Sequence, residues 1–313
     1  MSEIYIHIPF CVRKCLYCDF NSSVYGEKER EEYLQALLRE IAVSPDMGRI
    51  DTVFFGGGTP SLVRPEYIKS ILEEIRGHFD LAVDAEISIE VNPGTADENK
   101  LYKYLEYGIN RISIGVQSLI DEELMKIGRI HNGEMAEECI RAAKRAGFKN
   151  INADIMSALP GQSPESLGNT LDRITDLDLQ HISVYSLILE ENTALYESVR
   201  RGELKLLSED EEIKLDELVR EKLSGAGYKR YEISNYAKTG YECGIILATG
   251  KECPTGALAW RQPPLTAGAV LPQKEVCRIT LPVRIWLWVT EKKLRNTAAC
   301  QKGKLWRSLS SWD

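Results

Sequence analysis

Three cysteines stand close together near the start of the chain, in the run Phe10-Cys11-Val12-Arg13-Lys14-Cys15-Leu16-Tyr17-Cys18-Asp19-Phe20. Their spacing, C-x3-C-x2-C, lets one short loop offer all three thiolates to one group. Three thiolates can hold three irons of a [4Fe–4S] cluster, and the fourth iron then stays open to a small molecule. A structural zinc site needs a fourth ligand, usually from a second pair. A disulfide framework needs an even set in a small secreted chain. Neither fits, and three unrelated thiols seldom share such spacing. Iron–sulfur chemistry is therefore expected at Cys11, Cys15 and Cys18.

The surrounding pattern says what must hold this loop. Ile4-Tyr5-Ile6-His7-Ile8-Pro9 alternates as a strand does, and a helical pattern begins near Glu27. The cysteines then fall after a first strand, at the end where α/β barrels carry their chemistry. Further strand-like runs cover 51–55, 86–91, 111–115, 151–155 and 181–187. Helical patterns fall between them, over 27–41, 65–76, 97–107, 121–127, 134–146 and 163–177. Asp97, Asp121 and Ser163 read as N-caps, and Gly108 and Gly147 as helix stops. Regular βα alternation predicts a parallel sheet flanked by helices, and six units predict a partial (β/α)6 barrel. A further helix over 208–223 and a strand over 228–233 open a second region. The expected organisation is a barrel over 1–200, the start of a second domain over 201–243, and a divergent remainder.

The chain has 313 residues and a net charge of −8, ample for a sizeable core and unlike a general nucleic-acid binder. No run is apolar enough to span a membrane, and no leader pattern precedes the first strand. With three thiols committed to a cluster, a cytoplasmic location is expected.

Polar residues recur where strands two to five end. Gly56-Gly57-Gly58-Thr59-Pro60-Ser61 follows the second strand, and such glycines let backbone approach a ligand. Glu90 closes the third strand, Gln117 follows the fourth, and Asp154 closes the fifth. Arg129 stands beside His131 beyond a short helix. Leu159-Pro160-Gly161-Gln162 turns the chain onward. His7 is expected to be a hydrogen-bonded strand histidine, and Cys139 a buried small hydrophobe.

Taken together, these runs resemble the radical SAM superfamily, and within it the oxygen-independent coproporphyrinogen III oxidase-like branch. The residues that carry the resemblance are Tyr5 to Cys11, the cysteine triad, Gly56 to Ser61, Ile89-Glu90-Val91-Asn92-Pro93-Gly94, Gly115-Val116-Gln117-Ser118, and Asp154 onward to Gln162. The resemblance implies a [4Fe–4S] cluster on Cys11, Cys15 and Cys18 whose open iron binds S-adenosylmethionine. Reductive cleavage there implies an electron donor. Carried over by position, Tyr5, Tyr17, Gly57 and Glu90 contact the cluster-bound S-adenosylmethionine. Gly58, Thr59, Gln117, Arg129 and Asp154 match positions that line a second S-adenosylmethionine or its neighbourhood in the oxidase.

Within the branch, the oxidase has an extra cysteine two residues after the triad, whereas here Cys18 is followed by Asp19-Phe20. The Cys-Asp-Phe ending resembles the heme-chaperone (HemW) type. That implies heme as cargo and a heme-acceptor protein as partner. The alternative is the oxidase itself, an oxidoreductase decarboxylating coproporphyrinogen III. A radical SAM enzyme acting on RNA is disfavoured, because no RNA-binding module is visible and the main region is acidic.

The family's heme signature, H-N-x-x-Y-W, is missing at its expected place after Tyr241-Glu242-Cys243. The stretch 244–313 holds eleven Lys/Arg, four Asp/Glu and all five tryptophans, about +7 against −15 for the rest. Gly244 to Lys251 can be encoded by GGC ATA ATC TTG GCT ACT GGG AAA. One inserted C before them gives CGG CAT AAT CTT GGC TAC TGG GAA, which reads R-H-N-L-G-Y-W-E. Degeneracy helps that fit, but the first two bases of most codons are fixed by the protein. The expectation is an out-of-frame tail from Gly244, with heme binding impaired and the apolar run 284–289 prone to aggregate. The other reading is a divergent but genuine C-terminal domain.

Overall fold

The computed structural model describes residues 2–251 and 285–289 of the chain. Six strands, β1 (Ser2–Ile8), β2 (Arg49–Gly57), β3 (Asp80–Val91), β4 (Arg111–Gln117), β5 (Ile151–Ser157) and β6 (His181–Ser186), pair in parallel and in sequence order. Between them run α1 (Glu27–Val43), α2 (Pro65–His78), α3 (Glu98–Glu106), α4 (Asp121–Lys126), α5 (Gly133–Ala146) and α6 (Pro164–Asp176). Among the described residues the sheet does not close on itself. Beyond β6 it continues antiparallel through β8 (Asn235–Ala237) to β7 (Lys229–Arg230), and beyond β1 through the antiparallel β9 (Ile285–Val289). This is the expected α/β partial barrel.

Period-two alternation sorts the strand side chains. Ile4, Ile6, Ile8, Val53, Phe55, Ile87, Ile89, Ile112, Ile114, Ile151 and Ile155 join the helices in one apolar core. The alternate residues line the inner face and are largely polar. Thr52, Ser88, Arg111, Ser113, Asn152, His181 and Ser183 are all buried there. Fully burying one such Ile against the helices stabilises by about 1.5–3 kcal/mol, so the outer face holds the barrel together. The inner face is left for chemistry.

Three of the expected helix-end residues act as such, and Asp121 does not. Asp97 caps α3 through Lys100 N, and Ser163 forms a capping box with Ser166 at α6. Gly147 ends α5 at φ 108°, where glycine is favoured. Asp121 is not an N-cap: Ile120 holds that position, and the Asp121 carboxylate accepts Gly133 N–H at 2.9 Å instead. It therefore ties α4 to the start of α5.

The second region differs from expectation. The strand expected over 228–233 is only Lys229–Arg230, because Glu232 accepts from Ser234 N and Asn235 Nδ2 and turns the chain early into β8. A short helix α7 (Ala194–Arg200) precedes α8 (Glu209–Gly225), and Thr193 caps it through Tyr196 N. Directly after Cys243 the chain forms α9 (Gly244–Lys251), with Ile245 packed beside Phe54 and Cys243. Of the run 284–289, Ile285–Val289 forms β9, paired with β1. The rest of the expected out-of-frame tail, residues 252–284 and 290–313, lies outside the described residues.

Candidate metal centre

The cysteine loop leaves β1 and is pinned at its neck. Cys11 N–H donates to Ser23 O at 3.0 Å, and Ser23 N–H to Pro9 O at 3.0 Å. Gly58 N–H donates to Ile8 O at 2.9 Å, which brings the glycine run against the first cysteine. A Cβ on Gly58 would stand 2.8 Å from Phe10 O and 3.0 Å from Cys11 Sγ, so only glycine fits between them. At the loop's far end, Leu16 N–H donates to Ile127 O at 3.0 Å and Leu16 O accepts Leu195 N–H at 2.8 Å. Cys15 and Cys18 thus sit on a turn held from both sides, with Cys18 N–H donating to Cys15 O at 3.2 Å.

Two donors aim at the sulfurs. Thr59 Oγ1 donates to Cys11 Sγ at 3.7 Å, and Arg129 Nη1 to Cys15 Sγ at 3.6 Å. The same guanidinium donates through Nη2 to Asn92 Oδ1 at 2.7 Å and to Gly115 O at 2.6 Å. Burial disfavours its charge, but Tyr17 and Cys15 beside it outweigh burial and hold it above its ordinary range. Cys15, Thr59, Asn92, Thr95, Arg129 and His131 line a common cavity. Burial, then the Arg129 charge, lowers His131 to about 4, so this ring is neutral.

Of the remaining predicted residues, Tyr5, Glu90 and Asp154 stand on the inner face, while Tyr17 lies in the cysteine loop and Gln117 ends β4. Gly57, at φ 118°, donates its N–H to Glu90 Oε2 at 3.1 Å. Burial, then the Asp154 charge, pushes Glu90 up to about 8, against the opposing pull of Gly57 N–H and Arg111. Asp154 accepts Ser113 Oγ at 2.7 Å and Asn152 Nδ2 at 2.8 Å; burial still holds it above the usual carboxylate range. Tyr5 stacks on Phe54 with ring centres 6.0 Å apart, and Tyr17 meets Arg129. Gln117 sits at φ 67°, next to a register shift at Gly115, a conformation that L residues other than Asn and Asp rarely adopt. Histidine 7 is as expected, with Nε2 2.9 Å from Asn21 O, and Cys139 is buried in α5.

The sequence reading did not single out Asn92 as a site residue, although it joins Arg129 to Thr59 through Nδ2 at 2.8 Å. It also passed over Arg111, Asn152, His181 and Tyr231. Arg111, Asn152 and His181 share the alternation of polar residues at every second strand position, which does not by itself separate them from ordinary inward-facing residues; Tyr231 lies between β7 and β8 and carries no such signal.

Among the described residues, no three His, Cys, Asp or Glu side chains are gathered tightly enough to hold a single metal ion. A cubane asks for something different, because each thiolate takes its own iron. The donor set fits such a group. Three thiols share one loop, a glycine leaves space against Cys11, and an O–H and a guanidinium N–H already point at two sulfurs.

Residues 5–174 match the radical SAM superfamily. The chain belongs to that superfamily. It is 41% identical to the heme chaperone HemW of Escherichia coli over 247 residues, covering 77% of this chain and 64% of that protein. It is 39% identical to the HemW of Bacillus subtilis, with 77% and 65% covered. The chain thus spans about two thirds, or slightly less, of the relatives it matches. Among solved structures it is similar to coproporphyrinogen III oxidase (HemN) of Escherichia coli, described as a radical SAM enzyme. That match has a TM-score of 0.68 and 28% identity, and covers 80% of this chain and 58% of the other. No described helix is long and apolar enough to cross a membrane.

Proposed function

We propose that this chain is a heme-chaperone-type radical SAM protein. Cys11, Cys15 and Cys18 would hold a [4Fe–4S] cluster, and Tyr5, Tyr17, Gly57 and Glu90 would contact S-adenosylmethionine on it. When bound, the cluster supplies one electron to the sulfonium. The protein's own residues do the rest. Gly58 keeps space open at Cys11, Arg129 places positive charge beside Cys15, and Gly57 and Glu90 offer a backbone donor and a carboxylate on the inner face. Gln117 and Asp154 extend that polar lining.

The observation that carries the reading is the pair of donors on Cys11 and Cys15 at one mouth of the barrel. The chaperone is favoured over the oxidase by Cys-Asp-Phe in place of the longer cysteine run, and by curated relatives at 36–41% identity named heme chaperones. Heme is then cargo, to be passed to an acceptor protein. The share of the chain that those relatives match, 77%, is close to the share that precedes Gly244. This supports an out-of-frame segment beginning there and impaired heme binding in this chain. The test is to incubate the reconstituted protein, with the reading frame restored after Cys243, with heme and separately with coproporphyrinogen III under reducing, anaerobic conditions. Stable heme binding without turnover supports the chaperone; decarboxylation of coproporphyrinogen III contradicts it.

A further inference from the structure

A chain of hydrogen bonds crosses the inner face away from the cysteine loop. Cys243 N–H donates to Tyr231 Oη at 3.2 Å. Tyr231 Oη lies 2.8 Å from His181 Nε2, and His181 Nδ1 lies 2.6 Å from Asn152 Oδ1. Asn152 Nδ2 donates to Asp154 Oδ1 at 2.8 Å and to Ser113 Oγ at 2.6 Å.

One proton order satisfies these atoms. The Asn152 amide nitrogen is spent on Asp154 and Ser113, so its oxygen must accept. His181 Nδ1 therefore carries the proton. Burial, then the Arg111 charge, holds His181 neutral, so Nε2 accepts from Tyr231 O–H. The tyrosine oxygen in turn accepts Cys243 N–H. All the dipoles point the same way, toward the Asp154 carboxylate, and such chains strengthen cooperatively in a low-dielectric interior. The far end is fixed too. Cys243 Sγ and Gly244 N–H both donate to Glu86 Oε1, at 3.4 and 3.1 Å. The far end of the column is thus anchored at Cys243 and Gly244.

We infer that His181 and Tyr231 are positioning residues that orient Asp154 toward bound S-adenosylmethionine, and that seating of the polypeptide at Cys243 sets this orientation. The inference rests on the reading that Asp154 faces S-adenosylmethionine. A purely structural column would serve stability alone. A positioning column must act through Asp154 and only through it.

The test is a double-mutant cycle on the full-length, cluster-reconstituted protein, read by equilibrium binding of S-adenosylmethionine. Tyr231→Phe keeps the ring and removes two links; His181→Gln removes the donor to Asn152. Each is measured alone and with Asp154→Ala. Iron content and thermal midpoint serve as controls. Each single variant is expected to weaken binding by roughly two- to tenfold, as for one net hydrogen bond, with iron content unchanged. In the Asp154→Ala background the same changes should have no further effect. Wild-type affinity in Tyr231→Phe, or an equal loss in both backgrounds, would overturn the inference. Absence of S-adenosylmethionine binding in the parent protein would instead reject the underlying reading.

Discussion

Arg129 reaches Cys15 Sγ at 3.6 Å from a helix–helix connection more than a hundred residues along the chain. Its other nitrogen holds Asn92 Oδ1 and Gly115 O, so one cation joins the cysteine loop to the ends of β3 and β4. Gly115 is part of this arrangement, since a Cβ there would stand 2.7 Å from Asn92 Oδ1 and 3.2 Å from Arg129 Nη2. Arg129→Met should cost about 2–3 kcal/mol, because two acceptors lose a charged donor. It should also make the cluster harder to reduce, by removing a positive charge beside a cysteine ligand. A redox titration followed by electron paramagnetic resonance measures this; an unchanged midpoint would contradict it.

Glu90 predicts a pH dependence. Its folded value is raised from 4.5 to about 8, so the folded protein keeps a proton that the unfolded chain releases across that range. Stability from this group is therefore present below its ordinary value and declines as pH rises to about 8. A cationic amino group would bind the ionised form and expel the proton. Affinity for S-adenosylmethionine should rise by up to about tenfold per pH unit over the acidic side of that value, and Glu90→Gln should flatten the profile. Calorimetry in buffers of different ionisation enthalpy would show the released proton.

Gly58→Ala tests the cradle beside Cys11. The added methyl meets a backbone oxygen and a sulfur, neither on a flexible arm. Overpacking of this kind costs about 1–3 kcal/mol, and here it falls on the loop that must hold iron. The variant should bind less iron and sulfide per chain than the parent, while Gly77→Ala, which meets nothing within 4 Å, should not.

The tail makes a separate prediction. Sequencing the gene around the Cys243 codon should show that one inserted base opens a frame reading H-N-L-G-Y-W. Restoring that base should recover heme binding, and limited proteolysis of the present chain should cut first beyond Cys243. A frame that no single-base change restores would contradict this.

Much of the framework was legible because the outer face of each strand is a clean apolar series. Ile87, Ile89 and Val91 mark β3 from Glu86 onward, while its first half from Asp80, mostly exposed or half-buried, carries no such apolar series and was not expected. Helix ends with a local chemical cause, Asp97 and Ser163, were legible too. Asp121 was misread because its partner, Gly133 N, is twelve residues away and only the fold brings it near. The brevity of α7 hid it, since seven residues carry little periodicity. The cysteines were legible by spacing alone. The column from Cys243 to Asp154 was not, because its members come from four separate segments and each looks like an ordinary inward-facing residue.

The central claim is that Cys11, Cys15 and Cys18 together hold one [4Fe–4S] cluster. Iron and acid-labile sulfide are to be measured on the anaerobically reconstituted protein and on a Cys11→Ala, Cys15→Ala, Cys18→Ala variant, with Cys139→Ala as control. The account predicts about four irons and four sulfides per chain in the parent and in Cys139→Ala, and background levels in the triple variant. Unchanged iron in the triple variant would contradict it.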